Sequence, residues 1–184
     1  LEGIKLLLES GAKASTTTLS GRPMIAQAVK KGNIEFVRLL LKHGASANSG
    51  DITGNSLIAI AASQDRMDMV HLLLENGSNA SAKTLTGLSV MGECIIKRKL
   101  DMAQMLLENG ANANVKDLVG QPILIIAIRD NKLSEAERIR VVRMLLDHGG
   151  SPNVSNATTS VAAICYAMEM GSTEMVKMML AAGA

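Results

Sequence analysis

Leu39-Leu40-Leu41-Lys42-His43-Gly44-Ala45 decides the fold, because the same phrase returns along the whole chain. It recurs at 6–12 (LLLESGA), 72–78 (LLLENGS), 105–111 (MLLENGA), 144–150 (MLLDHGG) and 178–184 (MMLAAGA). The glycines of the six phrases, Gly11, Gly44, Gly77, Gly110, Gly149 and Gly183, are separated by 33, 33, 33, 39 and 34 residues. A second glycine stands ahead of the phrase at Gly21, Gly54, Gly87 and Gly120, and Ser160 takes that place in the last unit. Two markers therefore share one register, which is the signature of a repeat architecture.

Working outward from the phrase, each unit reads turn, helix, turn, helix. Met24–Lys31 has a helical pattern, Gly32 breaks it, and a second helix follows over Ile34–Lys42. Ile34, Val37, Leu40 and Leu41 share one face at helical spacing. The glycine after each second helix supplies a left-handed cap. One helix pair cannot bury its own apolar face, whereas a stack of pairs can. The fold class is therefore all-α, a helix-turn-helix solenoid with short hairpin-like turns between repeats. The predicted units are 13–45, 46–78, 79–111, 112–150 and 151–184, behind the second half of a unit at 1–12, all in one solenoid domain. The spacing of 39 marks an insertion of about six residues near 131–138. Within it, Ser134 followed by Glu137 is a capping-box signature, so the second helix of that unit is expected to start early. Arg98 and Glu137 fall where other units have the glycine between helices, which leaves those two turns unassigned. The chain opens inside a helical pattern and closes on a phrase, so more chain is expected on both sides.

Composition narrows the chemistry. Phe36 and Tyr166 are the only aromatic residues and there is no Trp, so the core must be aliphatic and sulfur-containing. Met69, Met102, Met105, Met144 and Met175 sit at apolar positions of second helices and are expected to fill it. A formal charge of +2 is too small to imply a polyanion partner by itself. Cys94 and Cys165 cannot form a disulfide framework. They read as buried residues of a reduced, intracellular protein, cytoplasmic or else nuclear. Apolar stretches such as residues 123–128 fall far short of the roughly 20 residues that cross a bilayer. The Asn-x-Ser/Thr sequences at Asn79, Asn153 and Asn156 read as turn residues in such a setting.

At this point the residues resemble the ankyrin repeat, whose unit of about 33 residues runs D-x-x-G-x-T-P-L-H-x-A-A-x-x-G, then E-V-V-x-L-L-L, then G-A-D-V-N. Asp51 to Gly54, Ala61-Ala62, Met69 to Leu74 and Gly110 to Asn114 carry the likeness, which extends over essentially the whole chain. The T-P-L-H segment is absent, replaced by Pro23-Met24-Ile25-Ala26, Ser56-Leu57-Ile58-Ala59, Ser89-Val90-Met91-Gly92 and Pro122-Ile123-Leu124-Ile125. The resemblance implies that hydrogen bonds made by that Thr and His are missing and that this array is less stable than a consensus one.

No constellation for catalysis is present. His43, His71 and His148 lie at or near the ends of second helices, with no metal-ligand spacing to Cys or carboxylates. No phosphate loop, dinucleotide fingerprint or nucleophile motif occurs. We therefore expect a non-enzymatic chain with no metal, cofactor or small-molecule substrate. The ankyrin resemblance implies a protein partner held on the concave face and hairpin tips. Carried over position by position, the tip residues are Leu19 and Arg22, Ile52 and Asn55, Leu85 and Leu88, and Leu118 and Gln121. The groove-facing residues include Lys30, Lys31, Gln64, Lys97 and Arg129. Leu19, Ile52, Leu85 and Leu118 make an aliphatic ladder that either meets a partner or seals each hairpin onto its neighbour. The basic residues, with Arg98 and Lys99 added, would steer an acidic or amphipathic protein segment. The alternatives are nucleic acid or anionic phospholipid on the same basic groove, or a structural or regulatory segment of a larger enzyme, channel or ligase receptor. The scarcity of aromatic stacking groups argues against nucleic acid.

Overall fold

The computed structural model describes residues 2–184. Among them are eleven helices, and they fall into two compact units, residues 1–86 and 87–184. The first unit holds α1 (Glu2–Glu9), α2 (Met24–Lys31), α3 (Ile34–Lys42), α4 (Leu57–Ser63) and α5 (Met67–Glu75). The second holds α6 (Val90–Ile96), α7 (Leu100–Glu108), α8 (Ile123–Arg129), α9 (Glu135–Asp147), α10 (Ala163–Glu169) and α11 (Thr173–Ala181). Each short first helix pairs with the second helix that follows it: α2 with α3, α4 with α5, α6 with α7, α8 with α9 and α10 with α11. Within the first unit α2 packs on α4 and α3 on α5. Within the second, α6 packs on α8 and α8 on α10, while α7 packs on α9 and α9 on α11.

The first helices are mostly apolar because neighbours enclose much of their surface. In α4, with the sequence LIAIAAS, every residue but Ser63 is buried. Second helices are amphipathic and bury one stripe, as Val37, Leu40 and Leu41 do in α3. Met69, Met102, Met144 and Met175 are in the core as expected, but Met105 is only half-buried. Cys94 is buried, whereas Cys165, also expected to be buried, is half-buried.

Caps replace the missing T-P-L-H chemistry in part. The Ser56 and Ser89 hydroxyls accept the backbone N–H groups of Ala59 and Gly92, at 3.3 and 2.9 Å. Pro23 and Pro122 open α2 and α8 at positions where a missing N–H costs nothing. Behind each second helix the chain reverses in the left-handed region, with φ of +87° at Gly44 and +85° at Gly110. The next amide then reaches back across the turn, from Ala45 to Leu40 and from Ala111 to Leu106, both at 2.9 Å.

Between helices, Gly32 and Gly171 take the same left-handed backbone, and so do Asp65 and Arg98, at φ +60° and +58°. The turn at Arg98 is therefore made despite the missing glycine. Glu137 is not in a turn at all. It lies inside α9, and the break of that unit is moved to residues 130–134. Ser134 caps α9 in a full capping box: its Oγ and N both donate to Glu137 Oε2, at 2.7 and 2.8 Å, and its Oγ accepts from Glu137 N. These bonds from the Ser134 hydroxyl and amide hold the Glu137 carboxyl below its ordinary range. Leu133 is buried, and Arg138 Nη1 donates to the carbonyls of Asp130 and Leu133, so the inserted residues are fastened to the second unit as an early start of α9.

Asparagine side chains tie each connection to the next. In the first unit Asn48 Nδ2 donates to the Gly77 carbonyl and its Oδ1 accepts from Asn79 N. In the second, Asn114 does the same to the Gly149 carbonyl and Ser151 N, at 2.9 and 2.7 Å. Replacing Asn114 by Ala removes both bonds, and at about 1 kcal/mol net for each the expected loss is roughly 1–2 kcal/mol. Urea unfolding of the two proteins measures it, and an unchanged midpoint would show that these bonds are idle. Ser160 takes φ +58° where other hairpins have glycine. Ser160→Gly should therefore stabilise by about 0.5–1 kcal/mol, read as a raised Tm, because the left-handed penalty on a side chain exceeds the entropy glycine adds.

Candidate recognition surface

Four of the hairpins are each closed by one antiparallel bridge: Thr17 with Pro23, Gly50 with Ser56, Lys116 with Pro122 and Ser155 with Ala162. Its tip is organised by a side-chain acceptor at a fixed place. Asp51 Oδ1 accepts from Thr53 N at 2.9 Å, Thr53 Oγ1 at 2.5 Å and Asn55 N at 3.1 Å. Asp117 Oδ1 takes the amides of Val119 and Gln121, and Asn156 Oδ1 those of Thr158 and Thr159. With the turn's own amides satisfied internally, the residue two places before the marker glycine points outward.

That residue is aliphatic four times and exposed four times: Leu19 completely, Ile52 and Leu85 at 59% each, and Leu118 at 66%. Val119, beside Leu118, is also exposed. Of the two readings open from sequence, sealing of neighbouring hairpins does not match these exposures. The second member of each pair behaves differently. Arg22 is exposed, while Asn55, Leu88 and Gln121 are half-buried. Gln121 Oε1 accepts from Ala157 N at 2.9 Å, which links two successive hairpins of the second unit. Asn55 Oδ1 is buried without a hydrogen-bond partner.

Charges at the helix ends are distributed less evenly than the sequence suggests. In the second unit Lys97 is ion-paired with Glu93 one turn earlier, and Arg98 with Asp130 at 3.6 Å. Arg129 lies over the Tyr166 ring, its guanidinium carbon 4.9 Å from the ring centre, and the Tyr166 hydroxyl meets Thr159 Oγ1. In the first unit Gln64 Nε2 donates to the Lys30 carbonyl at 3.0 Å, so its amide is engaged with α2. Arg22, Lys30 and Lys31 are exposed there. Arg22 and Lys30 line a cleft between the first two hairpins, with Ala26, Gln27, Asp51, Ile52 and Thr53 completing its walls. Gln27 was not singled out from sequence, and Asp51 and Thr53 stood out there only within the stretch that carries the ankyrin likeness, not as contact residues. The repeat offset that places an acidic residue at both Asp51 and Asp117 was the available signal.

Comparison with known proteins fits this geometry. The family profile described as ankyrin repeats, in three copies, matches residues 1–84 and 91–184. The chain belongs to the ankyrin repeat family. No curated protein sequence matches it. Among solved structures it is similar to an ankyrin repeat domain from Acinetobacter baumannii, at 22% identity and a TM-score of 0.78, covering 100% of this chain and 92% of that one. At that identity the likeness concerns the fold, an ankyrin repeat solenoid. Ankyrin repeats are generally protein–protein interaction modules and typically not enzymes. Among the described residues no helix is long and apolar enough to cross a membrane, and no group of three His, Cys, Asp or Glu could hold a metal ion.

The Thr53 hydroxyl bond is the main cause that holds the Asp51 carboxyl below its ordinary value; burial, the next in size, opposes it, and the amides of Asn55 and Thr53 and the charge of Lys30 add to the lowering. A depressed carboxylate contributes stability above its unfolded-state value, and this is lost as pH falls through the folded-state value. Thr53→Val should accordingly shift the Asp51 titration upward, as followed by side-chain NMR. A titration that does not move would show that the hydroxyl bond is not the dominant cause.

Proposed function

We propose that this chain is a protein-recognition module that holds a partner segment on its hairpin tips and the adjoining ends of its first helices. The observation that carries this reading is an exposed aliphatic residue that recurs at one offset of the repeat: Leu19, Ile52 and Leu85 in the first unit and Leu118 in the second. Exposed apolar side chains placed in register mark contact surfaces rather than solvated faces. The cations Arg22, Lys30 and Lys31 favour a partner with acidic or amphipathic character. An intracellular setting suits the thiols, with Cys94 buried and Cys165 half-buried. The proposed contact set is Leu19, Arg22, Lys30, Lys31, Ile52, Leu85 and Leu118, with Leu88, Lys97 and Arg129 at its margin. Asn55, Gln64 and Gln121 belong to it mainly as supports, since their side chains face or bind their own chain.

Nucleic acid is the weaker reading on the same surface. Tyr166 is buried and covered by Arg129, so it offers no stacking platform, and Lys97 and Arg98 are neutralised by their own carboxylates.

The test compares partner recovery by wild type and by a Leu85→Glu, Leu118→Glu double variant in affinity capture followed by mass spectrometry. Both positions are exposed, so the fold should be retained, and the variant is expected to lose most of the proteins that wild type enriches. Equal recovery by the two would remove the aliphatic tips from the binding surface.

A further inference from the structure

The cleft between the first two hairpins has a composition that names its occupant more narrowly. Two cations of different geometry, the Arg22 guanidinium and the Lys30 ammonium, line it together with the amide of Gln27. Both cations are exposed, Arg22 in the first hairpin and Lys30 in the last turn of α2. The one carboxylate in the wall, Asp51, has its Oδ1 occupied by the amides of Thr53 and Asn55 and the Thr53 hydroxyl. The cleft thus carries more positive than negative charge, and part of the negative charge is turned inward to the backbone. Beside these polar groups stands Ile52, an apolar wall with more than half its surface in solvent. The second unit offers no equal to this arrangement at the corresponding positions: Leu88 and Gln121 stand in place of Arg22, and Ile96 and Arg129 in place of Lys30, with Arg129 resting on Tyr166.

We infer that this cleft receives an acidic side chain of the partner, Asp or Glu, between Arg22 and Lys30, with an adjacent aliphatic residue of the same segment packed on Ile52. The inference rests on the protein-recognition reading and specifies its first contact. A guanidinium and an ammonium converging on one cleft suit a carboxylate, which accepts from both, and Gln27 adds a neutral donor. An apolar neighbour on the peptide sets the register, since Ile52 lies beside the charged pair. Attraction of this kind speeds encounter and selects sequence more than it adds affinity, so binding should weaken as salt rises.

The experiment pans a phage-displayed library of random dodecapeptides on the full chain, then measures synthetic copies of the enriched peptides against variants by fluorescence anisotropy. Wild type is expected to enrich peptides with Asp or Glu next to Leu, Ile or Val. Affinity should fall about tenfold in an Arg22→Gln, Lys30→Gln variant and little in Lys31→Gln, with circular dichroism unchanged. Peptides without an acidic position, or acidic peptides bound equally well by the double variant, would overturn this assignment and leave the recognition reading standing. No enrichment on wild type would remove both. Binding of a single-stranded oligothymidine that is lost in the same double variant, with no acidic peptide bound, would assign the cations to nucleic acid and overturn the proposal.

Discussion

Helices of seven to nine residues, which include every described helix except α9, fall below the length at which a helix holds its shape in water. Their stability has to come from neighbours. α8 shows the consequence: a run of ILIIAIR in which Ile123, Leu124, Ile125, Ala127 and Ile128 are all buried, flanked by α6 on one side and α10 on the other. Such a helix would be insoluble on its own and unfolded without its flanks. The stack must therefore repeat at a nearly constant length, because each helix pair has to arrive in the position that buries the previous one. The regular placement of the hairpin tips is a by-product of that packing requirement, and it is the by-product that function can use.

This constraint explains which parts of the fold could be read from sequence. A left-handed reversal after a helix is cheapest with glycine, so Gly44, Gly77 and Gly110 announce the helix ends by residue type alone. Asp65, Arg98 and Ser160 adopt the same backbone without that signal. Asp65 and Arg98 lie between paired helices and Ser160 at a hairpin tip, and only the register could suggest their conformation. Counting in register failed at Glu137, because the inserted residues displaced the break to residues 130–134. The correct boundary was carried instead by local chemistry, the reciprocal bonds of Ser134 and Glu137, which do not depend on repeat length. Met105 and Cys165 were misjudged for a related reason. Sequence periodicity places a residue on a stripe, but how deeply the edge of that stripe is covered depends on the neighbouring helix.

The candidate surface divides in the same way. Which residues stand at the tips followed from one offset, and the exposures of Leu19, Ile52, Leu85 and Leu118 agree with it. Which cations remain open did not follow. Lys97 and Glu93 are four apart on α6, a pairing that helical spacing alone could have revealed. Arg98 and Asp130 meet only because the break after α8 is extended, and that depends on the insertion. Gln64 and Gln121 likewise look like contact residues in a pattern, yet each bonds the backbone of an adjacent repeat within its own unit. Side chains that look free on a list of exposed positions are partly consumed in holding the stack together. The effect is to concentrate the open positive charge of the candidate surface around Arg22, Lys30 and Lys31.

Magnitudes then limit how such a surface can work. Fully burying one Leu or Ile side chain contributes about 1.5–3 kcal/mol, whereas association opposes binding by roughly 4–15 kcal/mol before any contact is made. One tip cannot hold a partner, so several must engage together, and that requires tips fixed in advance. The bonds that Asp51, Asp117 and Asn156 accept from their own turns do this locally, and the asparagine bridges from Asn48 and Asn114 hold consecutive connections in place. With this side already ordered, the entropy cost of binding falls mainly on the partner segment. Aliphatic tips offer little discrimination between sequences, because any apolar side chain of suitable size can cover them. Discrimination has to come from groups that are costly to leave unmatched, and in the first unit those are the paired cations of the cleft beside Ile52.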